Sequence, residues 1–216
     1  MKEHELHNYK LVLQYEGIRY NGWQKQKNQE NTIQEVVENA VFDGTGERAE
    51  VIGSGRTDAG THAMGQVANV KLGQNLEPER LMDNINKHLP SDIKILECEK
   101  VDNRFHARLN AKAKTYMYTL CVGKKPDVFN RRTVLHYCAD LDVDAMKKAA
   151  EYLKGEHDFM SFCSNKRTKK STVRKIYDIE IIKDGDEISF IFKGNGFLYN
   201  MVRILTGTLV EVGLGK

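Results

Sequence analysis

The sequence predicts an α+β protein made of two related halves whose antiparallel sheets form a central cleft. Two observations predict this. Runs of β-branched and aromatic residues alternate with helical periodicity in residues 1–105, and a similar order starts again in residues 106–216. The first half follows the order β-α-β-β-α-β, which is the ferredoxin-like pattern. The second half starts in the same way but lacks its last strand, so we divide the chain into an N-terminal half, 1–105, and a C-terminal half, 106–216.

The first half contains six predicted elements. Apolar residues spaced three and four apart indicate its helices, and β-rich apolar runs indicate its strands. Thr32 and Glu35 have the spacing of a capping box ahead of the first helix, and Pro78 opens the second. Strands are predicted at Tyr9–Tyr15, Gln66–Leu72 and Ile93–Val101, and a further short strand is predicted to end near Ile52. Helices are predicted at Ile33–Phe42 and from Pro78 to about His88.

The second half repeats this plan up to its end. Asp142 caps a helix that continues through Leu153, and Gly155 stops it. Asp184-Gly185-Asp186 is typical of a hairpin turn. Strands are predicted at Tyr116–Val122, Thr133–Tyr137, Val173–Lys183 and Glu187–Lys193, followed by a helical stretch from about Phe197 to Val212. Because no closing strand follows, we expect a C-terminally truncated chain with an open sheet edge.

Composition excludes several classes of protein. The 216 residues are 40% hydrophobic, which is enough for one large domain or two small ones. The chain has no apolar run of about 18 residues and its first ten residues are polar, so we expect a cytoplasmic protein without a membrane span. Cysteines 98, 121, 138 and 163 form no CxxC pair, which favours reduced, packed thiols over a zinc site.

Charge is distributed unevenly along the chain. Residues 1–105 hold 13 Lys and Arg against 17 Asp and Glu, whereas residues 106–216 hold 20 against 13. Residues 166–175, KRTKKSTVRK, contain six basic side chains and no acid. Lys166, Arg167, Lys169 and Lys170 are therefore predicted to contact phosphates of a nucleic acid, and a solvated loop without a ligand is the alternative.

Residues 53–63 read GSGRTDAGTHA and lie between two β-like segments, so we expect a loop. The pattern lacks the order of a phosphate-binding P-loop and of a dinucleotide fingerprint. Asp58 is two residues from Arg56, and this cation is expected to favour the ionised carboxylate. Such a carboxylate can act as a nucleophile or a base. An ordinary tight turn with a weak surface ion pair is the alternative interpretation.

The loop GRTDAGTHA resembles the signature of the TruA-type tRNA pseudouridine synthases. Seven further segments resemble that family in the same order, and together they span nearly all of residues 9–213. They are Tyr20–Gln24 (YNGWQ), Thr32–Glu35 (TIQE), Asn84–Pro90 (NINKHLP), Phe105–Arg108 (FHAR), Lys114–Tyr118 (KTYMY), Gly155–Phe162 (GEHDFMSF) and Met201–Gly207 (MVRILTG). Many matches in order are more specific than any one of them.

The resemblance implies a reaction and a set of roles. It implies that uridine at positions 38, 39 and 40 of the tRNA anticodon arm is isomerised to pseudouridine, by a homodimer. Asp58 matches the catalytic aspartate, and Arg56 matches the arginine that displaces the target nucleotide. Tyr116 matches the tyrosine that packs on uracil, and Arg203 matches the basic residue that pairs with the aspartate. Arg108, in the FHAR segment, is predicted to contact the substrate.

Elementary chemistry agrees with these roles and leaves alternatives open. A stacked base must be extruded before it can react, and an arginine plane can fill the space that it vacates. Tyr116 and Tyr118 alternate on one strand, so spacing alone allows either to hold the uracil. Arg203 lies among apolar residues and must pair with a carboxylate or reach solvent. An isomerisation needs no cofactor, and the scattered histidines predict no catalytic metal.

Two other functions remain possible at this point. The chain can be an RNA-binding protein that keeps the fold without turnover, particularly if its C-terminus is incomplete. It can also be a hydrolase that uses Asp58 to release free uracil and leave an abasic site.

Overall fold

The computed structural model describes residues 5–26, 30–123, 128–165, 167 and 169–216. The chain divides into two compact units, Met1–Ala111 and Lys112–Lys216. Both units combine helices with a sheet, so the protein is of the mixed α/β class that the sequence predicts. Residues 106–111 belong to the first unit here, whereas the sequence-based division was drawn at residue 105.

The first unit follows the order β-α-β-β-α-β along the chain. Its four strands form one sheet in the order β2-β3-β1-β4, in which all neighbouring strands are antiparallel. The two helices contact each other, and they also contact strands β2 and β4. The elements are β1 (His7–Tyr15), α1 (Ile33–Thr45), β2 (Val51–Gly53), β3 (Ala63–Leu72), α2 (Pro78–Asn86) and β4 (Ile93–Val101).

Alternation along β1 builds the core of this unit. Tyr9, Leu11, Leu13 and Tyr15 are buried and point to one face, and they join the buried side chains of α1 and α2 in one apolar cluster. The predicted cap of α1 is confirmed, because the Thr32 hydroxyl accepts a hydrogen bond from the Glu35 amide. The Gly-rich loop, residues 54–62, connects the end of β2 to the start of β3 in this unit.

The second unit has a five-stranded sheet in the order β6-β5-β9-β8-β7. Helices α3 and α4 contact each other, and buried residues of both belong to a second apolar cluster with Phe190 and Phe192 of β9. Asp142 caps α3 by accepting from the Ala145 amide. The elements are β5 (Lys114–Cys121), β6 (Leu135–His136), α3 (Val143–Glu151), β7 (Gly155–Asp158), β8 (Val173–Asp184), β9 (Glu187–Gly194) and α4 (Met201–Gly213).

Strand β7 is an element that the sequence analysis missed. Its four residues, GEHD, are polar and include no buried side chain, so hydrophobic pattern gives no sign of a strand. The strand forms because it pairs with β8 far along the chain, from Gly155 opposite Ile176 to Asp158 opposite Val173. The predicted short strand at 133–137 is present as β6, reduced to two residues and parallel to β5.

Candidate active site

The Gly-rich loop between β2 and β3 is anchored first by β3 itself. The Ser54 amide donates to the Val67 carbonyl at 2.7 Å. The side chain of Gln66 reaches back along the loop and donates from Nε2 to the Gly55 carbonyl, also at 2.7 Å. Contacts with β3 therefore fix the direction in which the loop leaves the sheet.

The segment after β1 holds the middle and the far end of the loop. The Thr57 carbonyl accepts from the Trp23 amide at 3.1 Å, and the Thr57 hydroxyl lies 2.9 Å from that of Tyr15. The Gly60 amide donates to the Tyr20 carbonyl at 3.3 Å. Tyr20 and Trp23 are both buried, so these contacts come from the core and not from a mobile surface.

Gly22 allows this close approach. Its φ is +80°, in the region that favours glycine. A Cβ atom placed there would lie 2.5 Å from the Thr57 carbonyl oxygen and 3.1 Å from the Asp58 carbonyl carbon. The YNGWQ segment and the loop can therefore pack together only if this position has no side chain.

Arg56 and Asp58 project from the anchored loop, and both are exposed. The Arg56 guanidinium donates from Nε to the side-chain oxygen of Gln24 at 3.3 Å. The main-chain carbonyl of Asp58 accepts from the Thr61 amide at 3.1 Å, which closes the turn that follows. The loop thus presents a cation and a carboxylate to solvent on a backbone held from both sides, which is the support that a reactive side chain requires.

A pair of buried asparagines fixes the segment that carries Arg108. Asn69 accepts from the Ala107 amide at 2.9 Å and donates to Asn8 at 3.0 Å, and Asn8 donates to the Asp102 and Phe105 carbonyls. Both asparagines are 1% exposed. Because buried amides must find partners, this network holds residues 102–107 against the face of the sheet opposite the helices.

Arg108 lies just beyond this anchor and is exposed. With Gln24 and Gly53 it lines a depression of about 250 Å³, whose other lining residues are Trp23, Gln34, Glu50, Val51, Ile52 and His106. Gln24 also binds Arg56, so the predicted substrate-binding residue Arg108 and the loop cation lie beside the same glutamine. The guanidinium, amide and carboxylate groups of this depression can hydrogen-bond the polar edge of a base, whereas the charge of Glu50 opposes a phosphate.

Tyr116 lies on β5 of the second unit and is partly buried. Its ring meets that of Phe197 edge to face, with 5.1 Å between centroids and an interplanar angle of 79°. Tyr118, on the same face of the strand, packs against the apolar cluster of the unit. The two tyrosines that spacing could not separate thus differ in environment, and Tyr118 is the one committed to the core.

Arg203 lies in the first turn of α4 and is exposed, whereas Met201 and Leu205 on the same helix are buried. A cation near a helix N-terminus opposes the helix dipole, so its placement does not stabilise α4. Of the predicted basic contacts after β7, Arg167, Lys169 and Lys170 are exposed. Lys166 lies outside the described residues.

Sequence reasoning left a core or an RNA-facing role open for Gln24, and it missed Asn8 and Asn69 as determinants of this site. Gln24 follows Trp23 in the YNGWQ segment, and that position was the one available signal. The two asparagines occupy alternate positions on β1 and β3 that point away from the helices, and no local pattern reveals their partners. In the part of the chain that the structure describes, no three His, Cys, Asp or Glu side chains are grouped as metal ligands.

The four cysteines are free thiols, and their environments differ. The predicted packing is confirmed for Cys163, which is buried, and is wrong for Cys138, which is exposed. Burial raises the pKa of the Cys98 thiol to about 11, and the charge of Glu99 adds to this effect. Among the described residues, no helix is long and apolar enough to cross a bilayer.

Comparison with known proteins identifies a family. The family model described as tRNA pseudouridine synthase matches residues 11–110 and 149–216. A Bacillus cereus protein named tRNA pseudouridine synthase A 2 is 44% identical over 98% of this chain and 86% of its own length. Proteins named tRNA pseudouridine synthase A from a Bacillus species and from Acetivibrio thermocellus are 47% and 43% identical, each over the same shares of the two chains.

Proposed function

Since this chain belongs to the tRNA pseudouridine synthase family and is an isomerase of uridine in tRNA, we propose that Asp58 is its catalytic carboxylate. The observation that carries the proposal is the exposure of Arg56 and Asp58 on a loop whose backbone is bound by β3 and by residues 20–24. A carboxylate on a backbone that is held in place can be aimed at one atom of a bound substrate.

The reaction defines what the carboxylate must do. The N1–C1′ bond of uridine breaks, the uracil turns, and C5 bonds to C1′ of the same ribose. The C5 proton is then lost and N1 gains one, so substrate and product are isomers and no co-reactant is consumed. Asp58 can start this sequence by attacking C1′ or by removing a sugar proton to leave a glycal, and both routes need its ionised form.

For the remaining site residues we propose the roles that the resemblance implies. Arg56 displaces the target nucleotide at position 38, 39 or 40 and stacks in its place, because a guanidinium is both planar and charged. Tyr116 packs on the extruded uracil, and Arg203 is the charge partner of the catalytic carboxylate. Arg108 binds the substrate near Arg56. We propose further that the enzyme acts as a cytoplasmic homodimer.

The two halves are proposed to be ferredoxin-like. In the first unit the antiparallel strand order β2-β3-β1-β4 around two helices supports this assignment. The order of the second sheet, β6-β5-β9-β8-β7, includes the extra strand β6 at one edge.

The direct test is to map the product in a tRNA that carries uridine at 38, 39 and 40. Pseudouridine at these positions after incubation with wild-type protein, and its absence with Asp58→Ala, are the expected results. Asp83→Ala is a matched control, because Asp83 is also exposed in the first unit but lies on α2. Tight tRNA binding by folded wild type without any pseudouridine would instead indicate an RNA-binding protein, and free uracil would indicate a hydrolase.

The stacking role of Tyr116 is tested with one variant that keeps the aromatic ring and one that removes it. Tyr116→Phe should keep most of the turnover, whereas Tyr116→Leu should lose it, because base stacking on an aromatic ring contributes roughly 1–3 kcal/mol. Tyr118→Leu is the comparison on the same strand: it should lower thermal stability, because Tyr118 packs on the apolar cluster. If Tyr116→Leu turns over as fast as wild type, the stacking role is refuted.

The basic segment is tested through salt dependence. Replacing Arg167, Lys169 and Lys170 together by alanine should weaken tRNA binding and reduce the slope of log affinity against log salt by roughly 2 to 3. An unchanged slope would show that this segment does not contact phosphates.

A further inference from the structure

A chain of hydrogen bonds connects the core of the first unit to Arg56. It starts at Gln34, which is 4% exposed near the start of α1. Gln34 Nε2 donates to Glu38 at 3.1 Å and to the Val51 carbonyl at 3.2 Å. Gln34 Oε1 accepts from Gln24 Nε2 at 2.7 Å and from the Lys25 amide at 2.9 Å. Every polar position of the Gln34 amide is therefore occupied.

This occupancy fixes which way both amides point. The Val51 carbonyl can only accept, so the end of Gln34 that faces it must be the NH2 group. The Gln34 oxygen then faces Gln24, which must present its own NH2 group in return. The remaining atom of the Gln24 amide is its oxygen, and this oxygen faces Arg56. The acceptor offered to Arg56 is thus set by the backbone of β2, through two side chains.

The hydrogen bond between Gln24 and Arg56 leaves the guanidinium able to contact a substrate. It engages Nε, at the near end of the guanidinium, and leaves both terminal Nη groups for phosphate or base contacts. A neutral amide restricts a long, flexible side chain without neutralising its charge. Gln24 also lines the depression that Arg108 borders, so the hold is applied on the side where the substrate is proposed to lie.

We propose that Gln24 is a positioning residue for Arg56, which holds the guanidinium in the orientation from which it displaces the target nucleotide. The inference rests on the proposed role of Arg56 in that step. Arg56 is proposed to act only when the target nucleotide leaves its stack, so its orientation should affect the rate of the reaction more than the affinity for tRNA.

The test compares single-turnover rates at saturating enzyme with tRNA dissociation constants. Gln24→Met keeps the size of the side chain and removes its hydrogen bonds. It should slow the single-turnover rate about tenfold and change the dissociation constant less than about threefold, as expected for a misplaced reacting group. Gln74→Met is the matched control, because Gln74 is an exposed glutamine of the same unit that donates to Thr45, away from the loop. It should react at the wild-type rate.

A double-mutant cycle separates positioning from a general structural effect. In an Arg56→Ala background, Gln24→Met should lower the rate by less than about twofold, because the group that it positions is gone. An equal further loss in that background would overturn the inference, as would a wild-type rate for Gln24→Met when Arg56→Ala is slow. A wild-type rate for Arg56→Ala would refute the proposed role of Arg56 instead, so the two failures are distinguishable.

A second variant keeps the test decisive if Gln24→Met folds poorly. Gln24→Glu retains an acceptor toward Arg56 and loses the donor to Gln34. The new carboxylate can still accept from Arg56, whose exposure keeps the ion pair weak, so this variant should react faster than Gln24→Met. An equal or slower rate would show that the bond to Arg56 is not what matters at this position.

Discussion

Replacing Gly22 by alanine tests whether the YNGWQ segment sets the position of the Gly-rich loop. Gly22 and Gly46 have nearly the same φ, +80° and +77°. A methyl group at either position is strained by about 1–2 kcal/mol in this left-handed region. At Gly46 the added Cβ meets nothing within 4 Å, whereas at Gly22 it lies 2.5 Å from the Thr57 carbonyl oxygen. Displacing that backbone adds roughly 1–3 kcal/mol, so Gly22→Ala should be destabilised by about 2–5 kcal/mol.

The assay uses the single tryptophan of the chain. Trp23 is 2% exposed in the first unit, so its fluorescence during urea unfolding reports on that unit. Gly46→Ala should lose only the strain energy and keep full turnover. Gly22→Ala should lose more stability and, because its loop must shift, about 100-fold in single-turnover rate. Equal losses of stability in the two variants, or full turnover by Gly22→Ala, would refute the reasoning.

Three further predictions follow from buried groups. Asn69→Ala removes the partner of the Ala107 amide and of Asn8 Oδ1, both buried, and should lower the unfolding free energy by about 2–4 kcal/mol, measured by urea titration; a loss below 1 kcal/mol would contradict this. At pH 8, iodoacetamide should modify Cys138 at least about ten times faster than Cys98, because burial raises the pKa of Cys98 to about 11 and the thiolate is the reactive form. Peptide mass spectrometry measures both rates, and equal rates in the folded protein would refute the prediction. Burial, and then the hydrogen bond to Asp92, raises the pKa of Tyr20 to about 12, so its contribution to stability is complete below pH 10 and lost as the pH rises to 12. The urea midpoint of wild type should therefore fall more steeply across that window than the midpoint of Tyr20→Phe, and parallel curves would contradict the shift.

Local patterns predicted most elements of the fold, because those elements bury alternating or helical stripes. The alternation of Tyr9, Leu11, Leu13 and Tyr15 and the capping spacing at Thr32 are visible without a structure. Strand β7 was invisible, since its polar residues become a strand only by pairing with β8. The contact between Asn69 and the Ala107 amide was equally hidden, because it joins residues 38 positions apart.

The sequence likewise predicted some features of the candidate site and not others. The pattern of the glycine-bounded loop left an ordinary tight turn open, and the resemblance to the family is what assigned roles to Asp58 and Arg56. Spacing could not separate Tyr116 from Tyr118; in the second unit Tyr116 meets Phe197 edge to face and Tyr118 packs on the apolar cluster, and the stacking role of Tyr116 stays a prediction. The importance of Gln24 could not be read from sequence, because it depends on which way the Gln34 amide faces.

The central claim is that the carboxylate of Asp58 starts the isomerisation, and Asp58→Asn tests it most directly. This change keeps the shape of the side chain and removes its ability to act as a nucleophile or base. The measurement is tritium release at single turnover from tRNA labelled at C5 of uridine, together with tRNA affinity. We predict a rate lower by at least about a thousandfold, or roughly 4 kcal/mol in the barrier, with tRNA affinity nearly unchanged. Release within tenfold of the wild-type rate would contradict the claim.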